Sequence, residues 1–387
     1  MQTNLAEEFS NTAAGLEAES ILHACVHCGF CTATCPTYQL LGNELDSPRG
    51  RIYLIKEMLE GAQVTEKTRL HLDRCLSCRA CETTCPSGVQ YGRLADIGRS
   101  IVEQKAPRGA WQALQRKLLR MLLPRTKIFS ALLATGRLFR PLLPSEIADK
   151  IPLARSAGSI PEARHARTML VLEGCVQPGL APATNAAARR VLDRLGITLL
   201  SAPQAGCCGA VSYHLNAHDE GLAYMRRNID AWWPFVEDGA EALVMTASGC
   251  GAMVREYGHL LHDDTAYADK AARISALTRD LSEIVAAEQP LLVGQFQSDN
   301  RGKVAFHSPC TLQHGQKITG VIERLLVAAG YDLTDVSDKH LCCGSAGTYS
   351  ILQRTLSQQL LHNKLDALQR GMPLQIATAN IGCQSHL

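Results

Sequence analysis

Apolar residues recur at helical spacing through the first third of the chain and as short unbroken runs after about residue 167, so two structural regimes are expected. Leu16, Ile21 and Leu22, set among glutamates, predict a helix after a short lead-in. Ile52, Leu54, Ile55, Met58 and Leu59 predict another, with Asp46 and Ser47 available as caps and Pro48 tolerated in its first turn. Trp111, Leu114, Leu118 and Leu122 form one stripe, around which Arg116, Lys117 and Arg120 spread over the remaining face. Pro124, Pro141 and Pro144 cut that segment into short pieces, and residues 145–166 read as a connector.

Beyond it the pattern alternates. Strands are predicted at 169–172, 197–200 and 242–246, with helices at 185–195 and 212–232; the series returns as strands at 304–306, 333–336 and 376–379 and helices at 318–329 and 348–367. Alternation of this kind predicts parallel α/β layers, with ligands at the carboxyl ends of the strands. The expected fold is therefore α+β and multidomain. It comprises an all-helical module (1–104), a basic helical linker (105–166) and a duplicated α/β cysteine-rich domain (167–295 and 296–387). The first copy continues past its last cysteine with a helix from about Met253 to His262, whereas the chain ends four residues after Cys383, so the second copy is expected to be truncated.

A chain of 387 residues suits two or three domains, and a net charge of +2 lends no support to a nucleic-acid partner. The N-terminus lacks the basic and then apolar regions of a signal peptide, so the sixteen cysteines are expected to be reduced thiols in the cytoplasm rather than disulfides. No stretch approaches the ~18 uncharged apolar residues of a membrane span. Residues 105–140 carry nine Lys or Arg and no Asp or Glu. A helix of that composition can lie on anionic lipid at the inner face of the membrane or on an acidic partner, or can be a solvated linker packed on its own domain.

The cysteines carry the chemistry. Cys25, Cys28, Cys31 and Cys35-Pro36 share the cadence C-x2-C-x2-C-x3-C-P with Cys75, Cys78, Cys81 and Cys85-Pro86. Three closely spaced thiolates can cap three irons of a [4Fe-4S] cube, while the fourth cysteine of each run ligates the other cluster. One cluster is thus expected on Cys25, Cys28, Cys31 and Cys85, the other on Cys75, Cys78, Cys81 and Cys35. Structural zinc is the alternative, although it needs two pairs rather than four cysteines in each of two runs. The helical pattern between the runs points to an all-helical two-cluster ferredoxin module. Pro36 and Pro86 would turn the chain away from the clusters.

The other eight cysteines fall into two sets, Cys175, Cys207, Cys208 and Cys250, then Cys310, Cys342, Cys343 and Cys383. In both, the first stands 32 positions before a Cys-Cys-Gly, and the closing gaps are 42 and 40. Glycine after the double cysteine permits positive φ and lets backbone N–H groups reach the sulfurs. A metal-thiolate or redox role is expected, against buried structural cysteine, zinc in each repeat or a redox disulfide. His27, His307, His314, His340 and His386 are expected at the surface or in hydrogen bonds rather than as ligands. No Gly-x-Gly-x-x-Gly or Walker motif stands in the right context, so neither flavin nor NAD is expected on this chain.

Those two runs, Ser47-Pro-Arg-Gly-Arg51, Cys85-Pro-Ser-Gly-Val-Gln-Tyr-Gly92 and the Cys-Cys-Gly repeats resemble the iron–sulfur subunits of glycolate oxidase over essentially the whole chain. More broadly the chain is similar to the C subunit of anaerobic glycerol-3-phosphate dehydrogenase, to lactate-utilisation proteins and to the B subunit of heterodisulfide reductase. The resemblance implies a non-catalytic electron-transfer subunit of a flavin-dependent 2-hydroxy-acid dehydrogenase. A separate FAD subunit would oxidise glycolate, a second flavoprotein-like subunit would assist, and this subunit would pass electrons towards a quinone or another acceptor. It also implies the same eight ferredoxin ligands. Part of that family closes its repeat with Cys-x-x-Cys around an unusual [4Fe-4S] cluster; here those positions read Cys250-Gly-Ala-Met253 and Cys383-Gln-Ser-His386. The alternatives are a glycerol-3-phosphate dehydrogenase subunit and a thiol-disulfide reductase that uses the Cys-Cys-Gly centres.

Overall fold

In the computed structural model, residues 1–142, 144, 148, 151–288 and 300–387 are described. The expected boundary between the repeats, at 295/296, lies outside them. The first hundred residues are helical: α1 (Ala13–Ala24), α2 (Pro48–Leu59), α3 (Glu66–Asp73), α4 (Ala80–Thr84) and α5 (Tyr91–Lys105). Ile21, Leu22, Ile55, Leu59, Leu72 and Leu94 close a core between them that also takes in Cys25 and Cys81, so the cysteine loops are anchored in the packing of the module. Ser47 caps α2 by accepting from the Gly50 N–H at 2.9 Å.

Asp46 does something other than cap. It is fully buried and accepts from His71 Nδ1 (3.0 Å), Arg74 Nη1 (2.9 Å) and Arg51 Nη2 (3.5 Å). Its own carbonyl takes the Thr37 hydroxyl at 3.0 Å, two residues past Cys35. A sequence pattern marks Asp before Pro as a cap, but three basic side chains from two helices converge here and outweigh a single backbone N–H.

Two amphipathic helices follow, α6 (Ala110–Leu122) and α7 (Thr126–Phe139), with no buried residue in either. In α6 the orientation is the reverse of a solvated linker. Its cationic side faces the protein: Arg116 pairs with Asp73 at 3.1 Å and Arg120 with Glu220 at 3.1 Å. The stripe faces outward, with Trp111 69% and Leu118 42% exposed.

The first repeat is a parallel sheet of β1 (Arg167–Val171), β2 (Ile197–Ser201), β3 (Leu243–Met245) and β4 (Thr278–Asp280) in the order β2-β1-β3-β4. Met169 pairs with Leu199, and Leu243 with both Leu170 and Thr278. Helices α8 (Pro182–Arg194) and α9 (His218–Glu237) pack against it, with Trp232, Met225 and Tyr257 in one core and Leu192 and Ile197 in another. The second repeat has β5 (Lys303–His307), β6 (Asp332–Leu333) and β7 (Gln375–Thr378), all parallel, in the order β6-β5-β7.

The strand β4 has no counterpart in the sequence reading. Each predicted long helix is also split: 212–232 becomes Ala210–His214 and α9, and 348–367 becomes Tyr349–Leu352 and Arg354–Gln369. Asn216 makes the first break by entering the left-handed region at φ 63°, and its side chain then donates to the Arg99 carbonyl of the helical module at 3.3 Å. Further contacts tie the module to both repeats. Arg79 pairs with Glu256 at 2.8 Å, Tyr349 donates to the Arg74 carbonyl at 3.2 Å, and Thr83 bonds His314 Nδ1 at 2.9 Å. Among the described residues no helix is long and apolar enough to cross a membrane.

Candidate metal-thiolate centres

The two cysteine runs fold into matching loops. In the first, His27 (φ 56°) and Gly29 (φ 83°) flank Cys28; in the second, Ser77 (φ 51°) and Arg79 (φ 59°) flank Cys78. Left-handed residues on both sides of the middle cysteine curl the backbone into a concave shell, at a cost of order 1 kcal/mol for each non-glycine residue. Ser77 N–H approaches Cys75 Sγ at 3.4 Å, the kind of donor that a cluster thiolate uses.

The fourth cysteine of each run crosses to the other loop. Cys25, Cys28, Cys31 and Cys85 line one small cavity, which Cys81 of the second run lines as well. Burial and then the nearby Cys25 push the Cys31 thiol up to about 11, with Cys85 and Cys28 adding to the effect. Cys35 joins the second run instead: burial raises the Cys81 thiol well above its ordinary range, and Cys78, Cys75 and Cys35 all contribute. Cys75 differs, for burial works against its thiolate but the buried guanidiniums of Arg51 and Arg99 prevail and hold it below the usual range. Arg99 is fixed there by donating to the Cys75 carbonyl at 2.7 Å and the Ser77 hydroxyl at 2.7 Å.

The Cys-Cys-Gly loops also gather their sulfurs. In the first repeat the thiols of Cys175, Cys207, Cys208 and Cys250 stand close enough for each to shift the titration of the next. The Cys175 thiol favours the Cys207 thiolate, yet contact with Cys208 and burial leave Cys207 pushed up to about 12. In the second, Cys310 Sγ lies 3.9 Å from Cys342 Sγ, and Cys343 stands between Cys342 and Cys383. Gly209 and Gly344, both at φ 89°, each return an N–H to the first sulfur of the pair, at 3.5 Å to Cys207 and 3.4 Å to Cys342.

Burial and neighbouring thiols raise Cys31, Cys81, Cys175, Cys208, Cys342 and Cys383, and a bound metal would supply the positive charge their thiolates lack, whereas Cys75 and Cys343 are already held below the usual range. The donor sets of all four groups therefore fit metal centres.

The histidines divide. His314 bonds Thr83 and the His340 carbonyl (2.9 Å), and His386 Nε2 bonds Ser357 Oγ (3.2 Å), as hydrogen-bonding residues do. His307 departs from the expectation. It is buried at the end of β5, and one ring nitrogen lies within 4.8 Å of the sulfurs of Cys343 and Cys383. The signal was its place three residues before Cys310, where the first repeat has Leu172 before Cys175.

Comparison with known families matches this arrangement. A family profile described as 4Fe-4S dicluster domain covers residues 21–89, and one described as cysteine-rich domain covers 169–255 and 304–387. The glycolate oxidase iron-sulfur subunit of Escherichia coli (strain K12) is 58% identical over 388 residues, covering all of this chain and 95% of that protein. This chain belongs to the glycolate oxidase iron–sulfur subunit family. A probable glycolate oxidase iron-sulfur subunit of Bacillus subtilis (strain 168) is 29% identical across 94% of this chain and 88% of its own length. Lactate utilization protein A of the same organism is 27% identical over 50% of this chain. As a member of the family the chain is an electron-transfer subunit of an oxidoreductase complex, with [4Fe-4S] clusters in its dicluster domain.

Proposed function

We propose that this chain collects electrons released in glycolate oxidation by a partner FAD subunit and delivers them, one at a time, towards a quinone or comparable acceptor. The observation that carries the reading is the crossed grouping of eight cysteines, with one loop edge open and the other buried. Cys25, Cys28, Cys31 and Cys85 would hold one [4Fe-4S] cluster and Cys75, Cys78, Cys81 and Cys35 the other; bound there, the clusters supply one-electron carriage.

The residues around them set a direction. Cys28 is exposed, and Val26 and Phe30 beside it are 68% and 61% exposed, an apolar rim suited to a docking flavoprotein. At the second group, Arg51 and Arg99 favour added negative charge, so an electron arriving at the Cys28 side is drawn inward. Cys78 then opens onto a cavity of about 800 Å³ between the module and the first repeat, which Arg79, Arg93, His214, His218 and Glu256 also line. That cavity offers an acceptor room beside the inner cluster and side chains that exchange protons with it. On its other flank Cys78 adjoins Cys310, so the second repeat lies next in line.

The outward stripe of α6 supports assembly with partner flavoproteins more than membrane association. Arg108, Arg116 and Arg120, three of the nine basic residues of 105–140, are engaged by Asp73 and Glu220 within the chain, which reduces the charge this segment can offer anionic lipid.

In the complex purified with its flavoproteins, Cys28→Ser is expected to abolish acceptor reduction by at least tenfold while flavin reduction by glycolate in single turnover stays unchanged. Equal loss of both half-reactions would overturn the relay.

A further inference from the structure

We infer that His307 is a ligand: one of its imidazole nitrogens binds iron in the second repeat together with the thiolates of Cys310, Cys342, Cys343 and Cys383. The inference rests on the reading that this repeat holds an iron centre, and it makes the two repeats chemically unlike.

Three observations carry it. His307 is 2% exposed, and its Nε2 is buried without a hydrogen-bond partner among the described residues. A buried imidazole nitrogen left unpaired is destabilising, so it calls for a partner. That nitrogen-bearing ring sits against sulfur: the ligand atoms of His307, Cys343 and Cys383 all lie within 4.8 Å of one another, and all three residues are buried.

The third observation is the comparison between repeats. Leu172 occupies the matching position in the first repeat and packs in the same core as Cys208. A site that needs only to be filled takes leucine there. Imidazole in the same place, aimed at the same pair of sulfurs, adds a donor. The second repeat also lacks cysteine at 386, and His386 is engaged by Ser357 Oγ, which itself donates to the Gly344 carbonyl at 2.8 Å. Of these two, His307 is the histidine with a ring nitrogen to spare.

The chemistry follows from ligand type. Neutral imidazole adds a donor to the four thiolates without adding negative charge, whereas a cysteine at 307 would add a fifth thiolate and lower the reduction potential, the reverse of the histidine-for-cysteine exchange in Rieske centres. The second repeat, which adjoins Cys78, is then distinguished from the first, with Leu172, by its nitrogen donor at equal thiolate count.

The test uses the full chain with its flavoprotein partners, grown with 15N-histidine and partly reduced. Pulsed EPR is expected to show one directly bonded 15N, with a coupling several-fold larger than a hydrogen-bonded histidine gives. His307→Cys is expected to keep iron above the content of the two ferredoxin clusters, lose that coupling and shift the centre to lower potential; His307→Leu, which gives the second repeat the residue of the first, is expected to lose the coupling while keeping the iron that the four thiolates hold. Excess iron without a strongly coupled nitrogen, or a coupling that persists in His307→Cys, overturns this inference alone. Absence of any iron beyond the ferredoxin clusters overturns the underlying reading of the second repeat and this inference with it.

Discussion

At the scale of single residues, Asp46 shows how a ligand loop is held. One carboxylate, with no exposed surface, gathers Arg51, His71 and Arg74, and its backbone carbonyl holds Thr37 next to the Cys35 loop. Removing one partner of a buried ionic group leaves uncompensated charge, at a cost of about 3–5 kcal/mol. Asp46→Ala is expected to destabilise the protein by that amount in urea unfolding. It should also release Cys35, so that iron content falls by one cluster; a variant with full iron would show that the Cys35 loop stands without it. Asp46 before Pro48 reads in sequence as a helix cap, because its three partners come from helices whose packing no local pattern reveals.

At the scale of elements, the Cys-Cys-Gly turn is the recurring part. A Cβ at Gly209 would stand 2.7 Å from the Gly221 carbonyl oxygen, and one at Gly344 would stand 2.6 Å from that of Ser357. Both also sit at φ 89°. Gly209→Ala and Gly344→Ala are therefore each expected to cost about 1–3 kcal/mol in backbone strain and to break the N–H to sulfur contact. Thermal unfolding would check the first effect and metal analysis the second.

Much of this was legible beforehand. Equal spacing of 32 residues announced the repeat, and strand-to-helix transitions placed the cysteines at the carboxyl ends of β1, β2 and β3. What escaped depends on three-dimensional partners. β4 is three residues long, too short for periodicity, and Asn216 breaks a helix to reach Arg99 in another part of the molecule. His307 looked dispensable because the cysteines already satisfied a coordination count.

At the scale of the whole molecule, the helical module sits between an open edge at Cys28 and the two repeats, and α6 bridges from Asp73 to Glu220 with its apolar stripe outward. Periodicity identifies such a stripe but not the side that faces the protein. A Trp111→Ser/Leu118→Ser double variant is expected to fold normally by circular dichroism and to reduce copurification of the flavoprotein subunits at least tenfold. Binding of the unaltered chain to anionic vesicles should be weak and unaffected by the change. Strong vesicle binding that the variant abolishes would assign the stripe to the membrane instead.

The open edge at Cys28 has a cost. A rim that lets a flavin come close lets dioxygen come close too, and a cluster within reach of dioxygen bleaches. A subunit waiting for its partner is then most fragile at the spot where the partner will sit, and assembly becomes its shelter as well as its circuit.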